Sequence, residues 1–249
     1  NLAVTRTHGE MLWATRINEA LTEDRFELDF QRITPIGETV DNSDHYELLI
    51  RMRDELGDVV MPSEFLPAAE RYNLSDKVDR WVIANAMGWL RNHPGLVDRL
   101  HLCGINLSGQ SMGNEEILRF ILEQIDEGSI PAEKLCFEVT ETAAIADLVQ
   151  ATHFISLLKD RGCMFALDDF GSGFSSFSYL KELPVDFLKI DGSFVRDICN
   201  DSVNLAMLRS INEIGHVMGK KTIAEFVEDG DVLNALRAVG VDYAQGFEI

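Results

Sequence analysis

Apolar residues follow two alternating patterns along this 249-residue chain. Short apolar runs predict strands at Phe26–Gln31, His45–Met52, Leu100–Asn106, Lys134–Thr140, Cys163–Asp168, Asp186–Ile190, Lys221–Glu225 and Tyr243–Gln245. Between most of them the spacing changes to three, four and seven. Leu74, Val78, Trp81, Val82, Trp89 and Leu90 form one such set, and Ile117, Leu118, Ile121, Leu122 and Ile125 another. Ile145, Leu148, Thr152 and Ile155 repeat it, as do Val203, Met207, Ile211, Ile214 and Met218. That spacing places each set on one helix face. Strand and helix alternating through about 250 residues predict an α/β fold, a TIM-like (β/α)8 barrel. The first two strands are joined by Thr34 to Asp44, short, polar and without a helix pattern. A parallel pair needs a crossover of roughly a dozen residues or more, so an antiparallel first strand is expected.

Polar or charged residues stand at or near the ends of successive strands: Asn106, Glu138, Asp168, Lys189, Glu225 and Gln245. In a barrel these ends meet at one mouth, where active sites of the fold lie. Burying so many polar groups together without cations or substrate is costly. The most informative stretch is Ala166-Leu-Asp-Asp-Phe-Gly-Ser-Gly-Phe174. Asp168 and Asp169 repel each other at a strand end, and two divalent metals that clamp a phosphoester would satisfy both. Gly171 and Gly173 allow a sharp turn and a close backbone approach to a ligand. Read alone, the same residues equally describe a turn capping a helix that starts near Ser175.

Composition narrows the chemistry. A formal net charge of -20 argues against a grip on DNA or RNA backbone, while bound divalent ions still admit a small anionic ligand. The four cysteines, Cys103, Cys136, Cys163 and Cys199, are scattered and read as small core residues in a reducing compartment. The six histidines show no zinc spacing, and neither a GxSxG turn nor a P-loop is present. No apolar run approaches membrane-spanning length, so this segment is expected to make no membrane contact.

Seven motifs then occur in order: Glu47-Leu-Leu-Ile-Arg51, Asn106-Leu-Ser108, Phe137-Glu-Val-Thr-Glu141, Asp168-Asp-Phe-Gly-Ser-Gly-Phe-Ser-Ser176, Leu188-Lys-Ile-Asp191, Ala224-Glu-Phe-Val-Glu228 and Gln245-Gly-Phe247. Together they resemble the EAL-type cyclic di-GMP phosphodiesterases, from about Phe26 to Phe247. Leu48 stands where the namesake motif has Ala, and Arg32 where a proline is common. The resemblance implies that Glu47, Asn106, Glu138 and Asp168 ligate one Mg²⁺ or Mn²⁺. Asp168 would bridge to a second ion held also by Asp169. A hydroxide activated by both metals would open cyclic di-GMP to linear pGpG, lowering a bacterial second messenger of the kind tied to biofilm signalling. Lys189 would orient that hydroxide or stabilise transition-state charge, and Glu225 would act as general base. Ca²⁺ is expected to inhibit, because its looser geometry positions the nucleophile poorly.

Among the remaining polar residues, Arg51 suits a phosphate through its planar fork and Gln31 a guanine edge. Glu228 and Gln245 are substrate contacts or plain surface polars. Glu141 is expected to hold the Asp169 loop, to which Gly171, Gly173 and Ser175 belong. Residues 1–25, with the helix pattern Glu10–Leu21, are expected to lead in from a removed upstream region, and 26–249 to form the barrel without the family's final helix. The family context implies an upstream diguanylate-cyclase-like or sensory domain and a cytoplasmic location, including as the cytosolic part of a membrane-anchored protein. It also implies a homodimer built by the loop and a short aromatic helix, Ser175 to Lys181. Two other readings compete: a receptor that binds cyclic di-GMP without turnover, and an enolase-like barrel using Lys189 with Mg²⁺. The second gives no reason for adjacent Asp168 and Asp169.

Overall fold

A computed structural model describes residues 2–37, 44–173 and 177–247. Nine strands form one sheet: β1 Phe26–Pro35, β2 Asp44–Arg53, β3 Val59–Val60, β4 Leu100–Asn106, β5 Leu135–Thr140, β6 Met164–Phe170, β7 Phe187–Ile190, β8 Lys221–Ala224 and β9 Tyr243–Gln245. All eight expected strands are there, with shifted ends. The two-residue β3, not foreseen, pairs antiparallel with the end of β2. From β2 through β4 to β9 each neighbour runs parallel, and β1 closes the barrel antiparallel to both β2 and β9. The fold is the TIM-like barrel that the pattern implied.

Period-two alternation explains how this barrel makes a site. Ile33, Leu102, Cys136, Ala166, Phe187, Ile223 and Tyr243 pack together in a small cluster separate from the main core. Two residues further along the parallel strands, on the same strand face, come Glu138, Asp168, Lys189, Glu225 and Gln245. The antiparallel β1 reverses the order, and register pairs Gln31 with Glu47. Strands β5 to β9 thus each give an apolar side chain to the barrel floor and a polar one to its mouth. Opposite-parity residues such as Ile105, Phe137, Phe165, Leu167 and Leu188 join the larger core with helical residues including Ile121 and Phe154.

The helix patterns hold at Ser75–Arg91, Glu115–Asp126 and Ser202–Val217. The Ile145–Ile155 set divides into Glu141–Ala146 and Leu148–Lys159, because Asp147 caps the second helix through the Gln150 amide. The helix expected from Ser175 to Lys181 is not formed in its described part, which holds only a 3₁₀ turn at Tyr179–Lys181. Ser175 and Phe174 lie outside the described residues. The aromatic surface is also smaller than expected. Leu180 is buried, Phe177 packs 5.8 Å from Phe170, and Tyr179 is half-buried. The leading helix Leu2–Thr22 buries Ile17 and Ala20 in the cluster that holds Phe26 and Phe65. No helix among the described residues is long and apolar enough to cross a membrane.

Candidate active site

Lys189 is the hub of the mouth. Its side chain is 1% exposed, and its Nζ lies 2.7 Å from Glu138 Oε2, 2.9 Å from Glu225 Oε1, 3.0 Å from Glu47 Oε2 and 3.3 Å from Asp168 Oδ1. Glu47 also accepts from Asn106 Nδ2 at 2.7 Å and from Gln245 Nε2 at 2.6 Å. Gln245 Nε2 reaches Gln31 Oε1 as well, at 3.0 Å. The six residues singled out at strand ends are therefore all joined through Lys189 or Glu47, and Gln31 joins them through Gln245. Gly104, which sequence reasoning passed over, makes room: a Cβ there would stand 2.0 Å from Glu138 Oε1. Only its absence lets the carboxylate lie flat across β4.

Asp169 reaches the same mouth by breaking the strand rule. Adjacent residues on a regular strand face opposite sides. Here the β6–β7 register shifts between Leu167 and Phe170, and Asp169 takes φ +53°. Such a bulge re-aims a side chain, and Asp accepts the left-handed region more readily than most residues. As a result, oxygens of Asp168, Asp169 and Glu225 all lie within 4.8 Å of one another. Glu141, itself buried, accepts the Gly171 amide at 2.9 Å and the Tyr179 hydroxyl, which ties the loop after Asp169 to the start of the helix that follows β5. Tyr179 carried no sequence signal for this contact.

The charges do not balance locally. Burial, then the Glu47 charge, drives the Glu138 carboxyl well above the usual range despite Lys189. Glu225 is pushed up to about 8 by burial, with Asp168 adding to it and Lys189 opposing. Asp169 rises to about 6 through burial and the charges of Asp168 and Asp191. Glu47 moves the other way: burial would raise it, but Lys189, Gln245 and Asn106 hold it low. Burial likewise presses on the Lys189 ammonium, yet Glu138, Asp168, Glu47 and Glu225 keep it firmly protonated. One ammonium against five carboxylates leaves unmet negative charge, and the donors are hard oxygens. That combination fits Mg²⁺ or Mn²⁺ better than soft metals.

The expected substrate contacts divide. Gln31 and Gln245 belong to the cluster. Arg51 stands further along β2, paired with Asp29 at 3.1 Å across the β1–β2 ribbon. Glu228 is exposed on the loop after β8, and no contact joins it to Lys189 among the described residues. Gly173 is exposed in the β6 loop, whereas Gly171 has φ +95° and packs beneath Phe194 and Ile211. One further backbone feature was not legible: Phe226, directly after Glu225, sits at φ +54°. For an aromatic residue that conformation costs about 1–2 kcal/mol.

A closed barrel with carboxylates, an amide and a buried lysine at its mouth defines a TIM-like (β/α)8 barrel with an acidic site. Comparison narrows this further. The family model described as "EAL domain" matches residues 14–249, and the chain belongs to that family. It is 40% identical, over 95% of its own length, to Cyclic di-GMP phosphodiesterase PdeB of Shewanella oneidensis. It is 33% identical over 94% of its length to Cyclic di-GMP phosphodiesterase PdeF of Escherichia coli. The chain spans 28% and 31% of those two proteins. Among solved structures, the FimX EAL domain from Pseudomonas aeruginosa bound to c-di-GMP is similar at TM-score 0.86 and 32% identity, covering 94% of this chain and 93% of that one. A PaMucR phosphodiesterase c-di-GMP complex reaches 0.84 at 27% identity, with 95% of both chains covered.

Proposed function

We propose that this domain hydrolyses cyclic di-GMP to linear pGpG in a reaction that requires Mg²⁺ or Mn²⁺. The observation that carries the reading is the complete donor set. Glu47, Asn106, Glu138, Asp168, Asp169 and Glu225 all keep oxygen donors, and the cluster built around Lys189 is short of positive charge. A domain that only binds the dinucleotide has no need of so crowded an acidic site. Glu47, Asn106, Glu138 and Asp168 would hold one ion, and Asp168 with Asp169 a second. When bound, such a pair supplies a nucleophilic hydroxide near neutral pH and neutralises charge on the phosphoryl group.

The chain's own residues do the rest. Lys189 stays protonated and counters the charge that develops on the non-bridging phosphate oxygens. Glu225 would orient the attacking water and take up its proton. Arg51, if released from Asp29, presents two parallel donors to a phosphate. Gln245, itself held by Gln31, fixes Glu47 from behind, and both glutamines would border the substrate. We also read the active species as a homodimer and the domain as one part of a longer signalling protein. Size-exclusion chromatography alongside activity across protein concentrations tests the first of these. The central test is incubation of the purified domain with cyclic di-GMP and Mg²⁺ or Mn²⁺, followed by chromatography for pGpG, with EDTA and Ca²⁺ controls. Binding without pGpG would favour the receptor reading, and neither binding nor product would end both.

A further inference from the structure

We infer that Asp29 is an internal competitor for the substrate: its carboxylate occupies Arg51 until a phosphate of the dinucleotide displaces it. It thereby sets how tightly substrate and product are held, an inference that rests on the phosphodiesterase reading. Register places both residues over the mouth. Leu28, Leu48, Ile50 and Met52 pack in the outer core, so Asp29, Leu49 and Arg51 share the inner strand face with Gln31 and Glu47. Asp29 lies opposite Leu49, two residues beyond the Gln31–Glu47 pair and hence about 7 Å above it. A cavity of about 330 Å³ opens beside Glu47 and Asn106 and continues along β2 as far as Ile50, the residue before Arg51.

Arg51 is sheltered, with 15% of its side chain exposed, and its Nε meets Asp29 Oδ2 at 3.1 Å. Its Nη1 donates to the Ile50 carbonyl at 2.9 Å. The next pair outward, Arg53 with Glu27, is 46% and 40% exposed and reads as an ordinary surface contact. Asp29 is 62% exposed, so its pair with Arg51 is open to water on one side and adds little stability. Such a pair is readily exchanged for one with another anion. A fork contact to a phosphate takes two adjacent donors of the guanidinium, and Asp29 already holds Nε. Carboxylate and phosphate therefore compete for one edge of Arg51. With one phosphate of a cyclic dinucleotide at the carboxylates of the mouth, the other reaches Arg51 and must displace Asp29. The linear product keeps that second diester, so the same competition shortens its stay.

The test compares Asp29→Asn, Asp29→Glu, Arg51→Ala and the Asp29→Asn/Arg51→Ala double variant in the intact domain. Asp29→Asn should lower KM for cyclic di-GMP about two- to fivefold, the range of a partly exposed ion pair, with Tm nearly unchanged. Inhibition by pGpG should strengthen by the same factor. Asp29→Glu keeps the charge and should stay near the parent. Arg51→Ala should raise KM about tenfold or more, and adding Asp29→Asn to it should change nothing further. An unchanged or raised KM in Asp29→Asn would reduce Asp29 to a cross-strand contact. An equal fall of KM in the Arg51→Ala background would make it a general charge effect, and an Arg51→Ala KM equal to the parent's would take Arg51 out of binding. Any of the three overturns the competition and leaves the phosphodiesterase reading standing. If the parent binds cyclic di-GMP without forming pGpG, Kd replaces KM in each comparison and only the phosphodiesterase reading falls. A parent that neither binds nor hydrolyses it removes both.

Discussion

Lys189 Nζ and Glu138 Oε2 lie 2.7 Å apart at the base of the mouth, with both side chains all but excluded from water. The contact is a close, buried ion pair. Buried pairs of this kind seldom gain net stability, because desolvation offsets much of the Coulomb attraction. Here Lys189 serves several acids at once, and each is less satisfied for it. The fold tolerates this frustration at the mouth because the floor cluster and the outer core supply the burial. Stored charge imbalance of this sort gathers at functional sites.

Replacing Lys189 with Met should strip the acids of their internal cation. In EDTA, stability should fall by about 3–5 kcal/mol, the usual cost of breaking a buried pair. Mg²⁺ or Mn²⁺ should restore more of that loss than it adds to the parent, since ions would enter an even more negative site. Thermal melts of both proteins, with and without metal, give the comparison. Equal metal-induced shifts in the two would mean that Lys189 and the ions do not share the same field.

The pH dependence follows from the raised acids. A carboxyl whose folded pKa lies above its unfolded value holds its proton more tightly when folded, so its stabilising effect is lost as pH rises. For Glu225 that window runs from 4.5 to about 8, and for Asp169 from 3.8 to about 6. Glu47 has the opposite sign, and its contribution is lost only as pH falls below its ordinary range. Lys189 keeps its proton throughout this interval. The metal-free Tm should therefore decline between pH 5 and 8. Saturating Mg²⁺ should flatten the decline, and the metal-induced shift should grow with pH because ions displace protons. A metal-free Tm that climbs steadily to pH 8 would contradict the charge imbalance.

Glu47 combines a proposed ligand with a structural acceptor. Glu47→Gln should lower turnover by about a hundredfold or more while keeping most of the hydrogen-bond geometry. Glu47→Ala should lose turnover equally and also stability, by about 1–3 kcal/mol for each donor stranded among Asn106, Lys189 and Gln245. Denaturant titration beside kinetics separates the two effects. Equal stability in both variants would mean that the donors find other partners.

Much of this arrangement could be read in the chain because a barrel turns linear spacing into position. Two-residue steps such as Cys136–Glu138 and Phe187–Lys189 put floor and mouth on one strand face, and strand ends then name the site. What resisted reading was set by close approach and by broken regularity. Gly104 is defined by Glu138 lying across it, a contact between different strands. Asp169 faces the mouth only through a bulge, which period-two reasoning excludes. The helix expected after Ser175 gives way to a 3₁₀ turn because Tyr179 turns inward to Glu141. Propensity describes such residues poorly when a buried acceptor claims them.

Glu141 offers the sharpest test of how the loop shapes the site. Its carboxylate holds the Gly171 amide and the Tyr179 hydroxyl from a buried position, one point on each side of the Asp169 loop. Without it, a buried amide and a hydroxyl lose their acceptor, and the φ +53° backbone of Asp169 loses support. Glu141→Ala should reduce kcat about 10–100-fold, the range for residues that orient ligands. The concentration of Mg²⁺ needed for half-maximal activity should rise, because Asp169 no longer sits beside Asp168, while KM for the dinucleotide stays near the parent value. Tyr179→Phe removes one of the two anchors and should show a smaller effect in the same direction. A metal requirement unchanged in Glu141→Ala, with kcat lowered only in proportion to lost folded protein, would reduce Glu141 to a stabilising role.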